Sequence, residues 1–358
     1  MSAPAKTWKK VSARTVPSGV LAMDLHPSGN EVYVACMDRV VWAVPLAGGG
    51  EPRRIAAHDS WASGVRYIPG LDQVVSAGYD GNLRWSTRDG KPVRTVKAHG
   101  FWSWKMRVSP DGKRVASCTG QYLAGGEKYE PAAGKEPGVK VFDTATGELI
   151  RAFEHVPPVQ SVAFSPDSRH VAAANLMGEI RIWDIESGKL VAGWTVNDFT
   201  CWGIIKSHHY IGGIYDLEFA PGTNELLACG MGPMVDPMAG DGKQIWQRWA
   251  WADGKPVKKG EIKEADAGGG LMESLALHGG NGLFTMAGRL VKGKWNAALF
   301  DQNTGEMLGQ ADTRFRVTDS TWFANGSQVL LAGLWTQPSK RVNGKFPDFG
   351  HLAVFAVE

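Results

Sequence analysis

Apolar and polar residues alternate along this chain in short runs that return at a regular spacing. Each unit has an apolar strand, a tight turn of the Pro-Asp-Gly type, a second apolar strand, and a third strand that ends near Trp or Phe. The clearest copy, VQSVAFSPDSRHVAAANLMGEIRIWDIESG, runs from Val159 to Gly188. Because Pro, Asp, Asn, Ser and Gly supply the backbone angles of hairpin turns, each unit predicts antiparallel strands joined by hairpins.

The unit occurs seven times, and its spacing predicts the fold. The turn prolines Pro27, Pro69 and Pro110 lie 42 and 41 residues apart, and the longer steps of 56 and 55 residues to Pro166 and Pro221 contain insertions. A repeat of about 40–45 residues with four strands is typical of a β-propeller. The sequence therefore predicts an all-β protein, a seven-bladed β-propeller of four-stranded antiparallel blades.

The two ends of the chain predict how the ring closes. The seventh unit ends at a third strand, HLAVFAVE, and so lacks a fourth strand within its own unit. The strand-like segment TWKKVSART, residues 7–15, precedes the first unit. Because an open sheet edge is a liability, we expect residues 7–15 to complete the last blade and close the ring. Residues 1–358 would then form a single domain.

Charge balance and apolar runs narrow the classes of partner. The chain has 39 Lys and Arg against 36 Asp and Glu, a net charge of +3, with no long run of one sign, which argues against nucleic-acid binding. No stretch approaches the length of a membrane span, and residues 1–15 contain no apolar core of a signal peptide. We therefore expect a cytoplasmic protein, or one whose leader has been removed.

Several local motifs resemble those of a known repeat family. The Ser-Pro-Asp turns, the IWD triplet at Ile182–Asp184 and an Ala-His pair before two units look like WD40 repeats, and the resemblance covers essentially the whole chain. It is greatest to divergent bacterial WD40 proteins, whose units carry long insertions. The resemblance implies a non-catalytic scaffold for protein–protein interaction, with no catalytic residue and no cofactor.

The resemblance also implies a hydrogen-bonded tetrad of His, Ser or Thr, Asp and Trp within a blade. The second unit offers His58, Ser76, Asp80 and Trp85, but Trp85 follows Asp80 by five residues where the family has six. A one-residue slip in a strand moves a side chain to the other face of the sheet. We therefore do not expect an intact tetrad.

Long insertions predict which face of the ring binds a partner. In a WD40-like propeller, the loops from a fourth strand to the next first strand share one face with the loops from a second to a third strand. Both sets are enlarged, at 121–137, 231–243, 289–295 and 336–350 in the second-to-third loops and at 199–213 between blades. Loops on a rigid scaffold carry function, although surface insertions also accumulate at little thermodynamic cost.

Aromatic residues concentrate in these loops. The segments Ala57–Trp61 and Ala98–Trp102 are similar and offset by 41 residues, so Trp61 and Trp102 should occupy equivalent places on neighbouring blades. We predict a protein or peptide site made by Trp61, Trp102, Trp104, Trp202, His209, Tyr210 and Trp335. The competing interpretation is that these rings pack beneath the insertions as a satellite core.

A second function stays open at this stage: small-molecule or carbohydrate binding, possibly enzymatic, at the mouth of the central channel on the same face. Its polar candidates are His58, His99, His155, His209 and Arg289. The simpler interpretation of the first three is a buried hydrogen bond that joins the blades. No metal site is expected, because the adjacent His208 and His209 would point in opposite directions in a strand and no ligand lies at metal-binding spacing.

Overall fold

Seven four-stranded antiparallel sheets form a closed ring in the computed structural model of the protein. The first strand of each sheet contacts the first strand of the next, and the seventh contacts the first. The structure describes residues 6–121, 124–125, 130–131, 134–199, 212–233, 241–344 and 346–358. This arrangement confirms the predicted seven-bladed β-propeller.

The strands are numbered in chain order, beginning with β1 (Trp8–Val16). Blades 1 and 2 contain β2 (Val20–Leu25), β3 (Glu31–Cys36), β4 (Val40–Pro45) and β5 (Arg53–Ala57), then β6 (Ala62–Ile68), β7 (Gln73–Gly78), β8 (Asn82–Thr87) and β9 (Pro92–Lys97). Blade 3 contains β10 (Lys105–Val108), β11 (Arg114–Cys118), β14 (Val139–Asp143) and β15 (Leu149–Phe153), with the short pair β12 (Ala124–Gly125) and β13 (Glu130–Pro131) in its insertion. Blade 4 contains β16 (Val159–Phe164), β17 (His170–Asn175), β18 (Glu179–Asp184) and β19 (Leu190–Thr195).

The remaining blades follow the same order. Blade 5 contains β20 (Gly213–Phe219), β21 (Glu225–Met231), β22 (Gln244–Ala250) and β23 (Val257–Glu261), and blade 6 contains β24 (Met272–His278), β25 (Leu283–Gly288), β26 (Ala297–Asp301) and β27 (Met307–Ala311). Blade 7 contains β28 (Arg316–Trp322), β29 (Gln328–Leu334), β30 (Gly350–Val357) and β1. Single 3-10 turns lie at Pro69–Leu71, Asn197–Phe199, Ala252–Gly254 and Glu264–Asp266. No helix in these described ranges has the length and apolar character needed to cross a membrane.

The first strand of the chain closes the ring. Strand β1 pairs with β30 in an antiparallel register that runs from Trp8 opposite Val357 to Val16 opposite Gly350. A hydrogen bond from Thr7 N to Glu358 O, 2.9 Å long, extends the pairing. The predicted closing strand, residues 7–15, is therefore displaced by one residue in the structure, at 8–16.

The innermost strands carry a repeated irregularity that shapes the channel mouth. In six blades the pairing of the first strand with the second skips one residue near its start; the skipped residues are Leu21, Ser63, Gln160, Tyr215, Glu273 and Thr318. A β-bulge of this kind bends the strand and redirects its side chains. The repeated bulge therefore places one redirected side chain from each of these six blades at the same end of the channel.

The hydrophobic core lies between neighbouring blades. At the junction of blades 5 and 6, the buried Trp246 ring meets Phe284 and Phe300 edge to face, with centroids 5.1 and 5.7 Å apart. The two phenylalanines stack on each other at 5.0 Å. Apolar area removed from water between blades contributes about 25 cal/mol per Å², so continuous inter-blade packing stabilises the ring as a whole.

Candidate functional site

The connections of the blades define one face, which we call the insertion face. Because adjacent strands are antiparallel, every second-to-third loop and every connection from one blade to the next emerges at the same end of the sheets. The hairpins between first and second strands, and between third and fourth strands, lie at the opposite end. The long connections β11–β14, β21–β22, β25–β26 and β29–β30 all belong to the insertion face.

Five aromatic rings from blades 2 and 3 meet on the insertion face in a cluster that we call the aromatic plate. Its members are Trp61, Tyr79, Phe101, Trp102 and Trp104. The Tyr79 ring lies nearly parallel to Trp102, with centroids 4.7 Å apart and an interplanar angle of 7°, and it meets Trp61 at 5.8 Å. Phe101 stacks on Trp102 at 4.9 Å, and Trp104 meets both Tyr79 and Trp102 edge to face at 5.3 and 5.2 Å.

The plate has an anchored layer and an exposed layer. Trp104 is partly buried and donates from Nε1 to the Gly120 carbonyl oxygen at 2.9 Å, so it supports the other rings from beneath. Trp61 and Trp102 expose 40% and 39% of their surface. The satellite-core interpretation therefore fits Trp104, whereas Trp61 and Trp102 present large apolar rings to solvent.

A hydrogen bond to its own carbonyl oxygen anchors each of the two exposed tryptophans, from a backbone amide in one case and from a side-chain hydroxyl in the other. Tyr79 N donates to the Trp61 carbonyl oxygen at 2.8 Å, and Thr119 Oγ1 donates to the Trp102 carbonyl oxygen at 2.7 Å. Both donors directly follow the second strand of their blade. Their positions in the two repeats differ by one residue from the 41-residue offset that relates Trp61 to Trp102. Each exposed tryptophan is thus tied to the strand end of the blade that it precedes.

Beneath Trp61, a buried hydrogen-bonded network holds the start of blade 2. His58 Nε2 lies 2.9 Å from Ser76 Oγ, and its Nδ1 lies 3.1 Å from Asp80 Oδ1. The other carboxylate oxygen, Asp80 Oδ2, accepts from Asp59 N at 2.9 Å. Burial alone would raise the pKa of the Asp80 carboxyl, but these hydrogen bonds and the His58 charge hold that pKa well below its usual range. A β-carbon at Gly78 would lie 2.4 Å from His58 Nδ1, so only glycine fits there.

The predicted tetrad is incomplete, as its one-residue slip indicates. Trp85 is fully buried, and its Nε1 has no hydrogen-bond partner among the described residues. The network of blade 2 therefore ends at Ser76. Blade 3 keeps only the bond between His99 Nε2 and Ser117 Oγ, 2.9 Å long, with Glu136 3.7 Å from the other ring nitrogen.

The three histidines considered for a small-molecule site lie inside the blades. His58, His99 and His155 are all buried, and each uses Nε2 toward the second strand of its own blade; for His155 the partner is the Ala173 carbonyl oxygen at 3.3 Å. Burial lowers the pKa of His155 to about 3, so its ring is neutral at pH 7. The contacts therefore support a structural role for these histidines. The expectation that their hydrogen bonds join neighbouring blades is wrong, because each bond lies within a single blade.

Ion pairs link blades that are not neighbours across the channel. Asp216 of blade 5 is fully buried and accepts from Lys105 Nζ at 2.7 Å and from Arg107 Nη2 at 2.9 Å, both of blade 3. Its second oxygen accepts from Leu275 N of blade 6 at 2.9 Å. Asp319, at the equivalent position of blade 7, accepts from the Met23 amide of blade 1 at 2.9 Å. Both carboxylates therefore have hydrogen-bond partners within the protein, and their contacts connect different blades.

The channel mouth adjoins the aromatic plate. Arg316 of blade 7 binds Glu273 of blade 6 through two hydrogen bonds of 2.6 and 2.5 Å. Burial and the Glu273 charge raise the pKa of Tyr79 to about 12, with the Arg316 charge acting in the opposite direction. The charges of both members of the Arg316–Glu273 pair therefore act on Tyr79.

A cleft between blades 6 and 7 opens beside this pair, and we call it the arginine cleft. Its volume is about 460 Å³. It is lined by Arg289, Leu290, Asn296, Asp312, Arg314, Phe315, Arg316, Leu334, Trp335, Thr336 and Gln337. Trp335 exposes 38% of its surface and packs on His351 with centroids 4.2 Å apart. Arg289, one of the candidates for the channel mouth, thus lies in this cleft.

A second and larger depression, the Trp61 groove, separates Trp61 from the long loop of blade 7. Its volume is about 760 Å³. It is lined by Pro17, Ser18, Met37, Asp38, Arg39, Trp42, Trp61, Gln337, Arg341, Gly344, Phe346, Asp348 and Phe349. Gln337 lines both the groove and the arginine cleft. The two depressions are therefore neighbours on the insertion face, with the aromatic plate beside the groove.

The structure brings together some of the predicted site residues. Trp61, Trp102 and Trp104 share the plate, whereas Trp335 lies on blade 7 in the wall of the cleft. Trp202, His209 and Tyr210 lie outside the described residues, as do His208 and part of the insertion at 231–243. Sequence reasoning missed Tyr79, Arg314 and Arg316. For Tyr79 a signal existed, because it directly follows the second strand of blade 2.

Within the described ranges, no three His, Cys, Asp or Glu side chains come together in a way that could hold a metal ion. The three described cysteines, Cys36, Cys118 and Cys229, are buried free thiols. Burial raises the pKa of the Cys118 thiol to about 12, which makes it a poor nucleophile.

Comparison with known proteins agrees with the fold. A family model of the WD domain, G-beta repeat (WD40), matches residues 90–123 and 147–184, which cover β9 to β11 and β15 to β18. These matches show that the chain contains WD40 repeats within blades 2 to 4 of its seven-bladed β-propeller.

Three relatives illustrate the range of similar proteins. WD repeat-containing protein SL1-17 of Schistosoma mansoni is 28% identical over 48% of this chain and 53% of its own length. Small ribosomal subunit protein RACK1y of Oryza sativa subsp. japonica is 27% identical over 40% of this chain and 38% of its own. Eukaryotic translation initiation factor 3 subunit I of Bombyx mori is 29% identical over 28% of this chain and 27% of its own. The matches thus span about half or less of these proteins, all from eukaryotes, and the resemblance to bacterial members stays a prediction.

Proposed function

We propose that this protein is a non-catalytic scaffold that binds a protein or peptide on its insertion face, with the aromatic plate as the main contact. The observation that carries the proposal is the pair of Trp61 and Trp102, two large rings about two-fifths exposed and held in place by Tyr79. Exposed tryptophans on a rigid support are typical of interface residues, because they bury a large apolar area at little entropic cost.

The shape of the surface favours an extended chain segment. The Trp61 groove leads from the plate toward the long loop of blade 7, and its volume of about 760 Å³ is within the range of sites that enclose several side chains. Its lining combines apolar rings, such as Phe346 and Phe349, with the cations Arg39 and Arg341. A peptide can place an apolar side chain on the plate and continue along this groove.

The names of several relatives support a role within assemblies. One is a subunit of a translation initiation factor, one is a small ribosomal subunit protein, and a third, wat1 of Schizosaccharomyces pombe, is a subunit of the target of rapamycin complex. For this chain the corresponding function is that of an interaction module, and the identity of its partner is to be found by experiment.

The test is an affinity capture from a lysate of the native host. Wild-type protein is compared with the double variant Trp61→Ala/Trp102→Ala, and with Trp194→Ala as a control that removes a partly buried tryptophan of blade 4, away from the plate. We expect at least one protein to be retained by the wild type and by the control, and to be lost from the double variant. All three must show the same circular dichroism spectrum.

Equal capture by the wild type and the double variant would contradict the proposed site. Absence of any specific capture by the wild type would contradict the scaffold proposal itself. It would shift attention to a small-molecule ligand near the channel mouth, which ligand screening by thermal shift can test.

A further inference from the structure

We propose that the arginine cleft binds an oxyanion carried by a side chain of the partner, a carboxylate or a phosphoryl group, next to the segment that contacts the aromatic plate. This inference rests on the proposed function and names the chemistry of the partner. The cleft is lined by three arginines, Arg289, Arg314 and Arg316, and by one carboxylate, Asp312. The lining side chains carry three positive charges and one negative charge, and Glu273, paired with Arg316, lowers the local net charge to +1.

The arginines differ in how much of their binding capacity is free. Arg316 already shares its charge with Glu273 through two hydrogen bonds. Arg314 exposes 86% of its side chain and forms a single ion pair of 3.2 Å with Asp312. Arg289 is exposed, and no carboxylate of the described residues forms an ion pair with it. Two guanidinium groups therefore remain able to offer paired N–H donors to a ligand, the geometry that suits carboxylates and phosphates.

The loop that carries Arg314 is held rigidly. Asn296 is buried, donates to the Phe315 carbonyl oxygen at 2.7 Å and accepts from Thr313 N at 2.8 Å. Arg314 itself adopts a left-handed backbone with φ of 67°. A non-glycine residue in this conformation carries strain that the surrounding contacts must offset, and such residues are concentrated at functional sites. The cleft is therefore largely preformed, which lowers the entropic cost of binding.

One wall of the cleft is aromatic and uncharged. Trp335 packs on His351, and His351 packs on Phe315 with centroids 4.5 Å apart. His351 is 7% exposed, and its Nδ1 has no partner among the described residues. Burial, with a smaller effect of Lys10, lowers the pKa of His351 to about 4, so the ring is neutral at pH 7. The ligand group that enters the cleft therefore meets arginines on one side and an apolar ring on the other.

Two features connect the cleft to the aromatic plate. Gln337 lines both the cleft and the Trp61 groove, and the charges of Arg316 and Glu273 act on Tyr79 of the plate. A peptide that lays an apolar residue on the plate can therefore carry an acidic residue into the cleft. A nucleic acid is the less favoured oxyanion, because the net charge of the chain is only +3 and the cleft is a single pocket with an aspartate in its wall.

The test is a selection from a random linear peptide library displayed on phage. It is run in parallel against wild type, Arg289→Gln/Arg314→Gln, and Arg169→Gln/Lys189→Gln, which removes two charges from hairpins on the opposite face. We expect peptides from the wild type and the control to combine an aromatic or apolar residue with Asp or Glu. The cleft variant should keep the apolar preference and lose the acidic one.

Synthetic versions of the selected peptides then separate the sources of the oxyanion. Each acidic residue is kept, replaced by its amide, or replaced by phosphoserine, and binding is measured by fluorescence anisotropy. We expect the amide form to bind the wild type about tenfold more weakly, and the cleft variant to bind the acidic form with the same loss. Tighter binding of the phosphoserine form would assign the cleft to a phosphorylated partner.

Other outcomes would overturn the inference, and they distinguish a failure of the arginine cleft from a failure of the proposed scaffold function. Peptides selected by the wild type without any excess of acidic residues over the cleft variant would refute the cleft while leaving the plate intact. Failure of the wild type to select any peptide would contradict the scaffold proposal and the cleft together. Binding of a labelled single-stranded oligonucleotide that exceeds that of the peptides and is lost in the cleft variant would reassign the site to nucleic acid.

Discussion

The rings of Tyr79 and Trp102 lie parallel, 4.7 Å apart, although Tyr79 follows the second strand of blade 2 and Trp102 precedes the first strand of blade 3. This contact joins two blades at the insertion face. An offset-stacked aromatic pair contributes about 0.5–1.5 kcal/mol beyond the area that it buries. The partly buried Tyr79 ring thus contacts and supports both exposed tryptophans of the plate.

The stack gives a prediction for Tyr79. Tyr79→Ala removes the ring between Trp61 and Trp102, and we expect partner affinity to fall about threefold to tenfold because both tryptophans lose their support. Tyr79→Phe keeps the stack and should bind as the wild type does. Dissociation constants measured for a captured partner check this pair. Equal affinities of the alanine and phenylalanine variants would show that the stack does not matter for binding.

The closing strand β1 gives a prediction for stability. Deleting residues 1–16 leaves β30 as an open edge and removes the backbone pairing from Trp8 to Val16. We expect the Tm to fall by roughly 10 °C or more, because several net hydrogen bonds and part of the last inter-blade packing are lost. Deleting only residues 1–5 leaves β1 in place and serves as the control in the same thermal scan. An unchanged Tm after the longer deletion would contradict ring closure by β1.

The buried network of blade 2 predicts a large effect of one small substitution. Asp80 accepts hydrogen bonds from His58, from Asp59 N and from Asn82 N, the last at 3.0 Å. Asp80→Asn replaces the carboxylate that accepts these hydrogen bonds with a neutral amide. Because the buried donors then lose a charged acceptor, we expect the free energy of unfolding to fall by about 2–4 kcal/mol. Asp59→Asn changes a neighbouring exposed carboxylate and should cost less than about 0.5 kcal/mol. Denaturant unfolding of both variants measures the difference, and similar losses would refute the structural role of Asp80.

The channel contains a carboxyl group that makes stability depend on pH. Burial and the charge of Asp216 raise the pKa of Glu218 to about 7, against the opposing charges of Arg107, Arg66 and Lys105. Because the folded-state pKa lies above the unfolded value of 4.5, the folded protein binds more protons between these two pH values. The contribution of Glu218 to the stability of the fold is therefore present at low pH and is lost as the pH rises through about 7.

Glu218→Gln should remove this dependence. We expect the variant to be more stable than the wild type by on the order of 2 kcal/mol at about pH 8, and the difference to shrink toward about pH 5. Glu186→Gln, in the exposed turn between β18 and β19, is the matched control and should show the same small effect at both pH values. Denaturant unfolding of the wild type and both variants at the two pH values measures these differences in the free energy of unfolding. A difference that grows toward low pH would show that the sign is wrong.

The fold could be predicted from the sequence because its information is local and repeated. Seven turn signals set the seven blades, and the missing fourth strand of the last unit indicated β1 as the closing strand. The equivalence of Trp61 and Trp102 was also accessible, since both follow an Ala-His pair at the same offset. The slip at Trp85 predicted an incomplete tetrad, and its Nε1 indeed has no partner among the described residues.

The site itself could be predicted only in part. Tyr79 directly follows the second strand of blade 2, and this position indicates the insertion face, but it does not indicate that the Tyr79 ring contacts two tryptophans. The arginine cleft combines Arg289 from a second-to-third loop with Arg314 from the next inter-blade connection, so the ring geometry brings together residues that no local motif links. The histidines were ambiguous in sequence, because a buried structural histidine and a channel ligand share the same spacing. Only the contacts of His58, His99 and His155 distinguish the two.

The central claim, that the insertion face binds a partner through the exposed tryptophans, is tested most directly by isothermal titration calorimetry with the captured partner. Wild type is compared with Trp61→Ala/Trp102→Ala, after both have shown the same thermal unfolding. We expect the dissociation constant to rise about 30-fold or more, which corresponds to the loss of at least one interface residue worth about 2 kcal/mol. A dissociation constant unchanged between the two proteins would contradict the claim and place the binding surface elsewhere on the propeller.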